Sequence, residues 1–486
     1  ADFGIFRHAD CLRIELEFNV ITSELTIDFH VAEQVAAHSL DSPRSATVIP
    51  YKDVPILNGD QPETVIMVRA FNFLSCIVLL LTTGDSVSAE NWARFRGPNG
   101  QGTSSEVNLP VKWSADDHVA WKTGIPGKGW SSPIVYGDQI FLTTATEEGV
   151  SCRIVCVNRK DGSVSWNTEV HRQKTGPMRR QNSFATPTPV TDGERVYAVF
   201  YDGTVAAVDL GGKPVWKSQE IKFFSLHGLG ASPVLADGQL IMPFDGSSKE
   251  EGKLGWKIPW KNAVVLALDA ETGAVNWKGK RGESRVGHVT PILVEGGNQI
   301  VTAGGDRVQG FDVQTGDRIW SIYSQGEGVT PSPVVGAGLI FTSSGFEAPT
   351  TRAIRLGGKG DITKSHIAWE QTKGVSALAS LLYVAPHVYS ITRDNILHCL
   401  EASSGEVVWM KRLEGVHSAS PVFAEGKIFV LSEDGVTLVL RPGEKYDEIA
   451  RNDIGENCLA SMAVSQGHFY IRSAEHLFCI GSKASK

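Results

Sequence analysis

The sequence predicts an all-β protein, an eight-bladed β-propeller of four-stranded antiparallel blades. Three observations predict it. First, tryptophan returns at near-even intervals, at Trp121, Trp166, Trp216, Trp277, Trp320, Trp369 and Trp409. Second, several of these residues end one phrase. Ala267-Leu-Asp-Ala-Glu-Thr-Gly-Ala-Val-Asn-Trp277 is the clearest copy, and the stretches ending at Trp320 and Trp409 are close seconds. Third, each copy divides into four short apolar runs separated by glycine turns. One such unit cannot bury its own apolar face, so neighbouring copies must stack.

Within a copy the elements follow in order. The first strand is opened by Ser/Thr-Pro, as in Ser132-Pro133, Thr188-Pro189, Ser232-Pro233, Thr290-Pro291, Ser332-Pro333 and Ser420-Pro421. Proline suits a strand start, where no ladder N–H is needed. A Gly-containing turn leads to the second strand, as in Gly137-Asp-Gln-Ile-Phe-Leu. The third strand alternates, as in Val264-Val-Leu-Ala-Leu-Asp. A Thr-Gly or Asp-Gly hairpin turn then leads to the fourth strand, which carries Trp. First and fourth strands are equal in number but offset. The ring opens with a lone fourth strand, Val119-Ala-Trp-Lys, and the last blade, residues 460–480, lacks one. The N-terminal strand should complete that blade, since closure removes exposed sheet edges. The recurring indoles read as blade-docking residues, each burying a large area against its neighbour.

Four regions follow. Residues 1–66 form a non-repeat N-terminal extension with no motif. Residues 67–89 pair Arg69 with an apolar run from Phe71 to Leu81 and end on Val87-Ser88-Ala89. This pattern predicts a secretory signal peptide cleaved near Ala89, with Met67 as the start and the preceding residues as upstream translation. The run is too short to span a membrane comfortably. Residues 90–117 are a lead-in segment, and 118–486 are the propeller. The mature protein is expected in the periplasm or secreted, with no transmembrane span.

The net charge of -8 argues against a general nucleic-acid binder. Seven cysteines are scattered, without an adjacent pair or a C-x-x-C. Cys152 and Cys156 share a strand face but lie about 13 Å apart, too far to bridge. Cys156, Cys399 and Cys479 share one repeat position with Ala207, Ala267 and Gly310, and read as small buried residues.

The Ala-x-Asp-x-x-Thr-Gly-x-x-x-Trp phrase resembles the PQQ-like (quinoprotein-type) β-propeller repeat family. The segment Trp92-Ala-Arg-Phe-Arg-Gly-Pro-Asn-Gly-Gln-Gly, with Val119-Ala-Trp-Lys and Trp130-Ser-Ser-Pro, is similar to a secreted bacterial branch of it. The resemblance covers residues 92–481. It implies the propeller, and it spans two kinds of activity: quinoprotein dehydrogenases, and non-catalytic scaffolds such as the propeller lipoprotein of the outer-membrane assembly machine.

Chemistry should sit where loops break the repeat, on the face shared by the loops that enter each first strand and those that join strands two and three. On the first set lie Trp130, the basic stretch with Arg179, Arg180 and Asn182, then His227, Arg285, His288 and His417. They are expected to ring one mouth of the central channel. On the second set, the insertion from Asp245 to Asn262 carries Trp256 and Trp260 outside the docking position, as a cap or a partner contact. Together they predict a polar, partly basic pocket with an aromatic lid, suited to a small anionic ligand or a protein partner. A quinone tricarboxylate fits that description.

No metal site is assigned, because spacing alone brings no three ligands together. The resemblance makes PQQ with calcium a conceivable cofactor. The cysteine pair that the family's dehydrogenases carry over the cofactor is missing, and no catalytic residue aligns. The leading expectation is therefore an exported, non-catalytic protein- or ligand-binding scaffold. The alternative is a periplasmic PQQ-dependent alcohol or sugar dehydrogenase.

Overall fold

The computed structural model describes residues 15–21, 24–30 and 90–482, apart from 177, 179–181, 224, 226, 247–256 and 327. The predicted signal peptide lies outside them. Residues 1–86 form a unit of their own. In it, Glu15–Ile21 and Glu24–His30 pair as an antiparallel hairpin.

The second unit is a ring of eight antiparallel sheets. Blade 1 comprises Ile134–Tyr136, Gln139–Thr146, Ser151–Asn158 and Val164–Arg172, from the innermost strand outward. Blades 2 to 7 repeat that order, with innermost strands beginning at Val190, Val234, Ile292, Val334, Leu382 and Val422. Blade 8 takes Ala463–Ser465, His468–Arg472 and His476–Ile480 from the C-terminal end and Val119–Gly124 from the N-terminal end. The closing strand pairs Trp121 with Cys479 and Val119 with Ile480. This closure is the one the strand offset predicts.

Register explains the small residues of the repeat. Trp166 faces Cys156, Trp216 faces Ala207, Trp277 faces Ala267 and Trp320 faces Gly310 across each outer pair. Trp369 faces Ala353 and Trp409 faces Cys399. In blade 7 the outer strand carries Ala450 instead of an indole, and the opposing residue grows to Val439. A small partner leaves room for a large one at a cross-strand pair. The three thiols at this position are buried, and desolvation pushes Cys156 up to about 11 and Cys399 and Cys479 to about 12. They act as small apolar residues, not as nucleophiles.

The indoles also explain the Thr-Gly turn. Nε1 of Trp166 donates to the Leu210 carbonyl of the next blade at 2.9 Å. Trp121, Trp216, Trp277, Trp369 and Trp409 donate likewise to Arg159, Ala270, Val313, Ala402 and Gly443. The ring lies flat on the turn glycine, so a Cβ at Gly212 would stand 2.5 Å from Trp166. Trp320 departs from the pattern. The next blade has no such turn there, because a longer connection sends Gly360–Asp361 back to pair in parallel with blade 4. The Trp320 indole turns inward and donates to Gln299 Oε1 of its own blade at 2.9 Å.

Candidate functional site

The site begins with the hydroxyl that precedes each innermost strand. The Ser132 backbone N–H donates to Thr188 Oγ1, Thr188 to Ser232 Oγ, and Ser232 to Thr290 Oγ1, at 2.9, 2.9 and 3.0 Å. A second arc runs from Ser332 to Ser380, Ser420 and Ser461, at 3.0, 3.0 and 2.9 Å. The blades are thus stapled in two groups of four around the axis. The two remaining junctions use other bonds. Between blades 4 and 5, the His288 N–H donates to the Val329 carbonyl at 2.7 Å. Between blades 8 and 1, the buried Arg472 Nη1 donates to Ser131 Oγ and to the Thr143 carbonyl, both at 2.7 Å. Among the described residues no carboxylate pairs with Arg472, and burial lowers its pKa to about 9. The proline beside the hydroxyl was the sequence signal for these strands. The hydroxyl is the more regular feature, since Ser380 and Ser461 hold the position without a proline.

Deeper along the axis the channel is closed by the lead-in segment. The Val135, Thr191 and Phe423 N–H groups donate to the carbonyls of Trp92, Ala93 and Gly102, at 2.9, 3.0 and 2.8 Å. Val335 N–H donates to Gln101 Oε1 at 2.8 Å, and Ser465 Oγ to the Glu90 carbonyl at 2.7 Å. Arg96 Nη2 donates to the carbonyls of Gln101 and Leu381 at 2.8 and 2.6 Å. These bonds tie the segment to blades 1, 2, 5, 6, 7 and 8. Glycine permits the tight winding: Gly97 has φ +81°, and a Cβ there would lie 2.6 Å from the Trp92 ring. Arg94 and Arg96 are buried without a carboxylate partner among the described residues, and desolvation lowers their pKa values to about 10 and about 9. The Trp92 to Gly102 stretch, a family marker in the sequence, is the floor of the channel.

Above this floor lies a funnel of about 610 Å³ lined by residues of all eight blades. Phe95 of the lead-in, Trp130 and Phe346 offer aromatic faces, and Arg393 a cation. Among the described residues no carboxylate lines it. Lys128 Nζ lies 5.8 Å from the Trp130 ring centroid, and the Arg393 guanidinium 5.4 Å from that of Phe346. His227 and His288 meet edge to face, with centroids 6.1 Å apart. Burial, and then the His227 charge, push His288 down to about 4, so it is neutral at pH 7.

The structure brings only part of the predicted set together. Trp130, Asn182, His227 and His288 line the funnel. The Asn182 carboxamide is bonded to the His227 carbonyl and to the Thr186 hydroxyl. Arg285 does not line it: Nη2 and Nη1 are held by Asp306 at 2.6 Å and Glu347 at 2.7 Å, a pairing that raises its pKa. His417 is buried and does not line the funnel. Trp260 is no lid, being 8 % exposed and paired through its backbone with Ser284. Arg179, Arg180 and Trp256 lie outside the described residues. Sequence reasoning missed Phe95, Phe346 and Arg393. Phe346 and Arg393 sit on the predicted class of loop, but single residues of these types carry no spacing signal.

A family model described as outer membrane protein assembly factor BamB matches residues 103–219, 202–346 and 361–442. The chain belongs to this PQQ-like repeat family. Outer membrane protein assembly factor BamB of Bordetella pertussis is 27% identical over 240 residues, 46% of this chain and 54% of that protein. The chain spans about half the length of the curated relatives it matches. Among solved structures, BamB from Moraxella catarrhalis aligns with TM-score 0.53 at 15% identity, covering 74% of this chain and 99% of that one. Quinohemoprotein alcohol dehydrogenase from Comamonas testosteroni aligns with TM-score 0.57 at 10% identity, covering 81% of each chain. Both likenesses show the fold alone.

Proposed function

We propose that this protein is a non-catalytic binding propeller of the outer-membrane assembly type, exported and working at the periplasmic side of the envelope. The observation that carries the reading is the funnel wall. Six of its eight ring hydroxyls, all but Ser132 and Ser332, accept bonds from neighbouring blades and serve as structural staples. Beside them the wall presents the aromatic faces of Phe95, Trp130 and Phe346, the Arg393 cation and the imidazoles of His227 and His288. Such a surface suits recognition of a partner chain or a small anionic ligand. The family match over most of the propeller supports the same reading.

The dehydrogenase alternative is favoured by the aromatic floor at Phe95 and by the shared fold. Calcium, however, takes oxygen ligands, carboxylates above all. Among the described residues none lines the funnel, and no three His, Cys, Asp or Glu side chains are grouped to hold a metal. Arg393 could meet a quinone carboxylate, but the described lining does not fit the metal half of the pair.

Two experiments test the proposal. The full chain is incubated with pyrroloquinoline quinone and calcium, gel-filtered, and assayed for dye reduction with alcohols and sugars. Stoichiometric retention with turnover overturns the scaffold reading. A photo-crosslinking residue is then placed at Phe346 on the funnel face, or at Val164 on the outer rim, in the native cells. An adduct with an outer-membrane component from position 346 and not from 164 is expected. No adduct, or equal yields at both positions, counts against the reading.

A further inference from the structure

Two further cavities open off the face that carries the funnel. One, of about 480 Å³, lies between blades 5 and 6, between the loop 344–349 and the loops 372–377 and 392–396. The other, of about 410 Å³, lies between blades 1 and 2, with residues 145–149 on one side and Met178, Ser183 and Phe184 on the other. In a ring of eight, the junction of blades 1 and 2 stands opposite that of blades 5 and 6. The two clefts therefore lie on one diameter, with the funnel between them.

The same residues mark both crossings. Phe346 and Arg393 line the funnel and the blade 5–6 cleft alike. Phe346 is 41% exposed, and Arg393 rests on its ring. On the other side, Lys128 lines the blade 1–2 cleft and lies over Trp130, which lines the funnel. Among the described residues neither Lys128 nor Arg393 has a carboxylate partner, and neither does Lys373 in the blade 5–6 cleft. Acids do line the clefts, but Glu147 is held by Arg172, and neither Glu148 nor Asp394 lines the funnel. The inner part of the diameter is thus positive, with an aromatic face beneath each cation.

We propose that cleft, funnel and cleft form one trough that receives an extended acidic segment of a partner polypeptide, its carboxylates meeting Lys128 and Arg393 and its apolar side chains resting on Trp130 and Phe346. An extended chain turns successive side chains to opposite sides, which suits a trough where aromatic faces and cations stand together. This inference rests on the scaffold reading and names the chemistry of the partner.

The test uses the full chain and a fluorescein-labelled twelve-residue probe of alternating Glu and Leu, followed by anisotropy. A matched Lys-Leu probe and a sulfated oligosaccharide are the comparisons. The Glu-Leu probe should bind at least tenfold more tightly than the Lys-Leu probe, and weaken as salt rises. Arg393→Glu should lower its affinity at least tenfold and Phe346→Ala several-fold. Lys217→Glu, the same charge change on the rim of blade 2, should alter it less than twofold. Unchanged melting temperatures establish that the variants are folded, and Arg393→Gln replaces Arg393→Glu if the latter is not. Equal binding of the two probes, indifference to Arg393 and Phe346, or tighter binding of the oligosaccharide would each overturn the trough. If the crosslink from position 346 still finds its envelope partner, the scaffold reading survives that failure.

Discussion

The indole of Trp166 lies across the blade boundary on Gly212, whose φ of +86° and missing Cβ make the contact fit. The same pair recurs as Trp121 with Gly162, Trp216 with Gly273, Trp277 with Gly316 and Trp369 with Gly405. Gly212→Ala must therefore both strain the backbone and displace the ring. We expect it to cost about 2–4 kcal/mol, combining a left-handed penalty with overpacking. Gly238 has φ +71° with nothing within 4 Å, so Gly238→Ala isolates the backbone part, about 1–2 kcal/mol. Urea unfolding of both variants measures the difference. Equal costs would refute the docking role of the turn.

The junction of blades 8 and 1, where the ring closes, depends on Arg472 as well as on the strand Val119–Gly124. Arg472→Met keeps the stem but removes the donors to Ser131 and Thr143. The Ser131 hydroxyl and the Thr143 carbonyl keep only their bonds to each other and to the Thr143 N–H, and losing the two charge-assisted bonds should cost about 2–4 kcal/mol. Arg472→Lys should recover part of that. Removing residues 118–123 should lower the melting temperature far more, and an unchanged transition would contradict closure by the N-terminal strand.

The ring was legible because its determinants are periodic. Each indole, each turn glycine and each small residue opposite an indole recurs at a fixed place, so the sequence shows them many times over. The funnel was only half legible. Trp130, Asn182, His227 and His288 stand on loops that the repeat marks as functional. The floor at Trp92 to Gly102 occurs once, before the first strand, and its contacts reach residues such as Leu381 and Ser465 far along the chain. Nothing local in that segment announces where it docks. Trp260 misled because an indole outside the docking position can still be core, which only the packing against Ser284 reveals.

His417 supplies a pH dependence with a definite sign. It is 4% exposed, neither ring nitrogen has a partner among the described residues, and burial outweighs the nearby Asp434 to lower its pKa to about 4. In the unfolded chain the imidazole returns to about 6.5. The unfolded state therefore binds the proton first, and stability is lost as pH falls from 6.5 toward 4. Between pH 7.5 and 4.5 the loss from this residue should be about 2–3 kcal/mol. Other groups titrate in that range, so the quantity to measure is wild type minus His417→Gln at each pH. A difference that does not move with pH would mean that the imidazole is charged or hydrated where it lies.

Arg96 holds the channel floor in place. Its φ of +62° is unusual for a residue with a Cβ, and its guanidinium reaches the Gln101 and Leu381 carbonyls from a buried position. Arg96→Met removes both bonds and should cost about 2–3 kcal/mol. The decisive readout is local. Val135, Thr191 and Phe423 donate their amides to the lead-in segment, so their hydrogen exchange should accelerate in the variant well beyond the global loss of stability. Leu142 and Val155, paired in the middle of blade 1, should follow only the global change. If all five amides respond alike, the segment unfolds with the ring and is not a separate floor. If the three accelerate selectively, the floor is a local unit whose release turns a blind funnel into an open channel.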